Sequence, residues 1–331
     1  MIRTILLVLL LEICTGNTSG ATSVDGNCDW FQGSWSKKNV WHPKECSYEK
    51  HFTQLKDNYH LQMKSNDTLK MLFFSDSNAV ALISDATRAL NGICINKGEY
   101  ENICLTKHLK IVSFVVFSVF PSDSKEVIDC SQKTKKRKEP YYATNLAIME
   151  NAINEFIENH KEKPELLEFS INFEEIIHLK QEMHCSTNSS IRSVAEKQFQ
   201  RGSFDTHFLD EWSASFERDI IILKDKAKEF HAFPFTKTFH IPNEKKSLQS
   251  IGPIKFIKQL NSRIREISKK LEVHVLDLDR MTQAFRKPED YLHQDGIHFK
   301  PFISEEIMNI LMNWLLKRRK HHHFHSFSNS T

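Results

Sequence analysis

The sequence predicts an α/β protein with a mostly parallel sheet held between two layers of helices. Two observations carry this. From about residue 69, short runs rich in Val, Ile, Leu and Phe recur along the chain. Between them lie stretches whose apolar residues return every three or four positions, so that strand and helix alternate about five times.

The elements follow in order. Residues 69–74 form a short buried-strand candidate, and 78–90 a helix with Leu82, Ile83, Ala86 and Leu90 on one face. Residues 109–120 read as a strand stopped by Pro121. In the helix over 141–160, Leu146, Met149, Ile153 and Phe156 keep the spacing. Pro164 precedes a strand at 166–171. The long helix at 206–231 aligns Trp212, Phe216, Ile220, Leu223, Ala227 and Phe230. A strand at 233–241, a helix over 254–271, a strand at 273–278 and a last helix marked by Ile307, Ile310, Leu311 and Trp314 complete the pattern. No internal repeat is present. In such sheets the ligand crevice lies beyond the carboxyl ends of the strands, so residues just after a strand are where chemistry is sought.

The N-terminus carries Arg3, a short apolar run, Glu12 and then small or polar residues, the layout of a secretory signal peptide over residues 1–20. The run is short for a bilayer, which needs about 20 apolar residues. An uncleaved anchor is the rival, and with it alone comes a membrane contact. Removing Cys14 with the signal leaves Cys28, Cys46, Cys94, Cys104, Cys130 and Cys185, an even set that suits disulfides in an oxidising compartment. Sequence proximity makes Cys28–Cys46 and Cys94–Cys104 the first guesses. Asn66, Asn188 and Asn329 open glycosylation sequons, meaningful in a secreted or ER/Golgi-luminal chain. Residues 21–65 read as a small cysteine-containing module, 66–316 as the α/β domain and 317–331 as a basic, His-rich, disordered tail. The net charge of +3, with basic residues gathered at 133–138 and 317–320, gives no case for a nucleic-acid partner. No Cys-x-x-Cys occurs, and no metal site or cofactor is expected.

Three weak signals fall at strand ends. Ser77 follows the first strand in Phe73-Phe74-Ser75-Asp76-Ser77-Asn78 and heads a helix, where a hydroxyl reaches the crevice and amides near Asn78 face a developing oxyanion. Helix capping by Ser75, Asp76 or Ser77 is the plainer reading. Asp295 and His298, three apart around Gly296, suit a carboxylate that orients an imidazole base. A turn with ordinary backbone contacts is its alternative. Asn172, directly after the middle strand, suits a second oxyanion donor, or a strand-end turn residue. Arg88, His178, His184 and His207 read as surface groups, and Trp30, Trp35, Trp41 and Tyr48 as packing around a disulfide rather than a sugar-stacking wall.

Together these blocks resemble those of the SGNH hydrolases, whose first block is Gly-Asp-Ser and whose last is Asp-x-x-His. The nearest likeness is to the PC-esterase group, which includes neurexophilin and PC-esterase domain proteins and trichome-birefringence-like O-acetyltransferases. Cys28-Asp29-Trp30-Phe31-Gln32-Gly33-Ser34-Trp35 and Trp41-His42-Pro43-Lys44-Glu45-Cys46 are similar to the module those proteins place before the serine block. Asp295-Gly296-Ile297-His298-Phe299-Lys300-Pro301 is similar to their terminal block. The resemblance implies an SGNH/flavodoxin-like three-layer sandwich behind a disulfide-bearing module. It implies a Ser77–His298–Asp295 esterase or acyltransferase of O-acyl, first of all O-acetyl, groups on a glycan or related ester. A transferase needs an acyl donor. Ser75 stands where that family has glycine, and Val80 where many acyltransferases have arginine. A secreted binding protein that keeps the fold without the chemistry is the alternative.

Overall fold

The computed structural model describes residues 29–44, 46, 48–57, 68–96, 101–115, 145–160, 163–171, 173–185, 189–245 and 252–328. Strands β1 (Asp29–Trp35) and β2 (Trp41–Lys44) pair as an antiparallel hairpin. The main sheet is built from β3 (Leu69–Ser75), β4 (Ile93–Asn96), β5 (Glu101–Leu105), β6 (Leu109–Val115), β7 (Leu166–Phe169), β8 (Phe233–Lys237) and β9 (His274–Leu276). Their order across the sheet is β4-β5-β6-β3-β7-β8-β9. From β6 to β9 every pair is parallel, while β4 and β5 extend that edge antiparallel. The parallel strands thus run in flavodoxin-like order, and the topological switch point falls between β3 and β7. The expected three-layer α/β sandwich is observed.

Both faces of β3 are buried, which is why its sequence is a continuous apolar run. Leu69, Met71 and Phe73 point into one layer, Leu72 and Phe74 into the other. The first layer holds α2 (Ser77–Ala89) and α10 (Pro301–Ser328); the second holds α3 (Asn145–His160), α6 (Thr206–Phe230) and α7 (Ile254–Leu271). The stripe Trp212, Phe216, Ile220, Leu223 and Ala227 of α6 is buried as its spacing predicts. Asp205 caps α6 by accepting from the Phe208 N–H at 2.8 Å, and His231, in the left-handed region at φ 57°, ends it.

Several elements escape the pattern. The β4–β5 hairpin lies between the first two expected strands, and α4 (Phe173–Cys185) and α5 (Ser189–Arg201) follow β7. β4 is exposed at every position, so it carries no burial signal, and α5 is mostly polar. β8 ends at Lys237, and 238–241 leave the sheet. Helix α10 runs on through 317–328, within the stretch expected as a basic tail. The run Leu315-Leu316-Lys317-Arg318-Arg319-Lys320 consists of good helix formers, and basic residues suit a helix C-terminal half. Lys317 Nζ also sits 4.6 Å from the centroid of the Trp30 ring. Short α8 (Leu278–Gln283) and α9 (Pro288–Tyr291) lead into α10. Among the described residues no helix is long and apolar enough to cross a membrane.

The N-terminal hairpin shares the core beneath α10. Trp41 is fully buried and donates from Nε1 to the Trp30 carbonyl at 2.9 Å, and Trp35 donates to the Met281 carbonyl at 3.0 Å. The four aromatics are packing residues: Tyr48 is held by the Glu306 carboxylate, and its ring meets Trp30 edge-on at 6.1 Å. Next comes the one-and-a-half-turn α1 (His51–Lys56), fixed by a polar stripe on α10. Asn309 Oδ1 accepts from the N–H groups of Phe52 (2.8 Å) and Thr53 (3.3 Å). Asn313 Oδ1 accepts from Glu49 N–H at 3.2 Å. Asn309→Ala leaves two backbone donors without a partner. It is expected to lower stability by about 2–4 kcal/mol, read from denaturant midpoints at unchanged m-value.

Cys94 and Cys104 are directly opposed on β4 and β5 and form a disulfide. Cys46 is disulfide-bonded as well. Residues 1–28, Cys130, Asn66, Asn172, Asn188 and Asn329 lie outside the described residues, as do the side chains of His178, His184 and Cys185.

Candidate active site

The turn that heads α2 is built by Asp76. Its backbone is extended (φ −100°, ψ −176°), and its carboxylate accepts from the Ala79 N–H at 3.2 Å, so Asp76 is the N-cap of α2. The capping alternative holds for Asp76. Ser77 is the first residue inside the helix and is exposed at its head, just past β3 and at the switch point. Asn78 is buried and turns its side-chain amide inward, Nδ2 donating to Asp76 Oδ2 at 3.1 Å. The side chain is therefore tied to the cap. The Asn78 backbone N–H, on the open first turn, has no partner among the described hydrogen bonds and is the group able to meet an oxyanion.

The loop that carries Asp295 and His298 spans residues 292–299 and is closed by an antiparallel bridge between Leu292 and Phe299. Gly296, at φ 75°, takes the left-handed step that lets the chain fold back. Asp295 Oδ1 then accepts from the N–H groups of Ile297 (2.8 Å) and His298 (2.9 Å), and Oδ2 meets His298 Nδ1 at 2.8 Å. Burial alone would raise the Asp295 carboxyl. The two backbone N–H bonds and the His298 ring outweigh it and hold the group below the usual carboxylate range. An ionised Asp295 only accepts, so the His298 Nδ1–H donates to it. No hydrogen bond joins His298 to Ser77. Such contacts are often long before substrate binds. On α2, burial raises the Asp85 carboxyl, and the charges of Arg88, His293 and His298 oppose that rise.

A buried charged cluster lies under the turn, and sequence reasoning missed it. Lys237 Nζ donates to Ser75 Oγ at 2.6 Å and lies 3.5 Å from Asp76 Oδ1 and 3.4 Å from Glu168 Oε1. Ser75 Oγ is 2.9 Å from Ser170 Oγ, and the Ser170 hydroxyl donates to Glu168. Burial drives the Glu168 carboxyl upward, and Asp76 adds to the rise, against the opposing Lys237 and Ser170. The hydroxyl of Ser75, where the resemblance has glycine, is absorbed into this network and does not crowd the crevice. A readable signal existed: Glu168 and Lys237 are opposite charges inside two apolar strands, and charges buried on both faces must be paired.

His240 is the second missed residue. It follows β8, is buried, packs on the Phe299 ring at 4.1 Å and bonds the Ile297 carbonyl at 2.6 Å through Nε2. A carbonyl only accepts, so Nε2 donates. Burial pushes the imidazole down to about 4, against the Ile297 bond and the Asp76 charge. In the unfolded chain histidine titrates near 6.5. Between those values the unfolded chain takes up a proton that the native one refuses. Stability through His240 is therefore expected to fall, by on the order of 3 kcal/mol, as pH drops from about 6.5 to about 4. Denaturant midpoints against pH should show that slope in wild type and lose it in His240→Gln.

Arg88 pairs with Asp85 at 3.3 Å on an exposed helix face, and His207 is an exposed neighbour of Glu211. Among the described residues no group of three or more His, Cys, Asp or Glu side chains could hold a metal ion.

No protein-family model matches the chain, and no curated protein matches it in sequence. Solved structures resemble it in the course of the chain. One is a lipase/acylhydrolase from Enterococcus faecalis, 12% identical over 76% of this chain and 97% of that one, with a TM-score of 0.39. An acetylxylan esterase from Geobacillus stearothermophilus is 10% identical over 76% and 96%, at 0.35. The acetyl xylan esterase AlAXEase is 10% identical over 74% and 98%, also at 0.39.

Proposed function

We propose that this chain is a serine-dependent O-acyl esterase or acyltransferase, with O-acetyl the first acyl group to test, acting on a glycan or related ester of the secretory pathway. The observation that carries the reading is the Asp295–His298 pair, held within its own loop by three hydrogen bonds. Helix α2 is headed by exposed Ser77, with its N-cap supplied by Asp76. Ser77 Oγ attacks the ester carbonyl carbon while its proton passes to His298 Nε2. The oxyanion is met by amides at the start of α2. Collapse expels the alcohol, which takes the proton back from His298 and leaves the acyl group on Ser77. Water or an acceptor hydroxyl, deprotonated by His298, then releases the acyl group. A cavity of about 390 Å³ beside the loop, walled in part by Asn243, Glu289, His293 and Gln294, offers amide, carboxylate and imidazole groups to a hydroxyl-rich partner.

The test is labelling of purified protein with a serine-directed fluorophosphonate, followed by peptide mass mapping and a screen of acetylated esters and glycans. A single adduct on Ser77 and turnover of an acetyl ester are expected. No adduct and no turnover would favour the binding-protein alternative. For the compartment, intact mass of secreted material should show residues 1 to about 20 removed, glycan attached and no free thiol. A full-length, reduced, cytosolic product would overturn that part.

A further inference from the structure

We propose that the segment leaving β8, through Lys237 and His240, is a brace that sets the nucleophile turn and the acid–base loop at their working separation. The inference rests on Ser77 and His298 being the reacting pair. At its inner end Lys237 holds Ser75 and lies beside Asp76, the residues that shape the turn. Three residues on, His240 donates to the Ile297 carbonyl, the residue before His298. The attachment then repeats: the Ile241 carbonyl accepts from Tyr291 Oη–H, and Asn243 N–H donates to the Gly296 carbonyl at 2.9 Å. One short stretch of chain therefore grips both halves of the site.

The stretch is itself fixed. Phe239 N–H donates to Asn261 Oδ1 at 2.7 Å, and its carbonyl accepts from Asn261 Nδ2 at 2.8 Å. Thr238 Oγ1 donates to Asp277 Oδ1 at 3.0 Å, and Arg265 clamps Asp277 from α7. A rigid support of this kind is what a site needs when reacting atoms must be held to about 0.5 Å, since a misplacement of about 1 Å can slow reaction about 100-fold. The identities fit the task. A lysine meets a buried cap carboxylate that an aliphatic residue would leave unpaired. A neutral histidine supplies one N–H and a flat face for Phe299.

The experiment compares wild type with His240→Phe, His240→Gln and the double variant Lys237→Met/Glu168→Gln, which removes the cation and one carboxyl together. Readouts are the fluorophosphonate labelling rate at Ser77, kcat and KM on an acetyl ester, melting temperature, and hydrogen exchange at residues 77–80 and 293–298. His240→Phe keeps the ring and loses the donor. It is expected to lower kcat at least tenfold with KM within about twofold, while His240→Gln, which retains an N–H, recovers most of the rate. The double variant is expected to lose labelling rate similarly and to speed exchange at 77–80; His240→Phe speeds it at 293–298. Wild-type labelling in His240→Phe, or a folded His240→Gln as slow as the phenylalanine variant, overturns the brace. If His240→Phe does not fold, Gln against the shorter Asn carries the same comparison. If wild type shows neither labelling nor turnover, the serine chemistry fails on its own, and unchanged exchange in the variants then rejects the brace.

Discussion

Replacing Ser77 by alanine is expected to abolish fluorophosphonate labelling and to reduce acetyl-ester turnover by on the order of 10⁴–10⁶-fold, while leaving stability within about 0.5 kcal/mol of wild type. The two halves of this result have separate causes. Activity falls because the nucleophile is gone, and binding with oxyanion stabilisation is all that remains. Stability holds because the helix cap belongs to Asp76, not Ser77, and because the Ser77 side chain lies at the exposed head of α2. A purely structural serine predicts the reverse pattern. Turnover measured beside thermal melting separates them, and undiminished cleavage by the alanine variant would remove Ser77 from the mechanism.

The second large effect belongs to Asp295 and His298. His298→Ala is expected to lose nearly as much activity as Ser77→Ala, and the Ser77→Ala/His298→Ala double variant little more than either, because members of one catalytic unit are strongly non-additive. Asp295→Asn keeps the size of the side chain but can donate to Nδ1, which favours the wrong ring tautomer. The serine-protease precedent puts that loss at roughly 10⁴-fold. Turnover depends on a His298 ring that can accept the serine proton. Asp295 itself stays ionised to lower pH than an ordinary carboxylate, for the backbone N–H groups of Ile297 and His298 hold its charge. Rate profiles against pH for wild type, the single variants and the double variant decide the matter. Additive losses would mean that the groups act independently.

Much of this was legible in the sequence where burial imposes a period. The stripe of α6 and the apolar run of β3 announce themselves, because residues buried on a helix face or on both faces of a strand leave little choice of side chain. The Asp295-x-x-His298 turn was legible because its contacts are local, three residues apart. What stayed hidden is non-local or unburied. β4 is an exposed edge, so nothing in Ile93–Asn96 marks it. Lys237 meets Ser75 across 162 residues, a pairing that spacing along the chain cannot announce. The place of Asn78 at the head of α2 was legible, but not which way its amide turns, because that depends on Asp76.

The polar stripe of α10 has a consequence for how the chain is made. Asn309 and Asn313 satisfy backbone groups of residues 49–53 across 256 to 264 intervening positions. The segment 49–53, on and just before α1, is thus completed by a helix made long after it. At about 5–20 residues per second, synthesis keeps Trp41 and Phe52 waiting for many seconds with their final cover missing. Such long-range closure slows folding and leaves apolar surface open to chaperones meanwhile. Loss of the chain from Glu306 onward would therefore be felt first in the segment 49–53, made long before it.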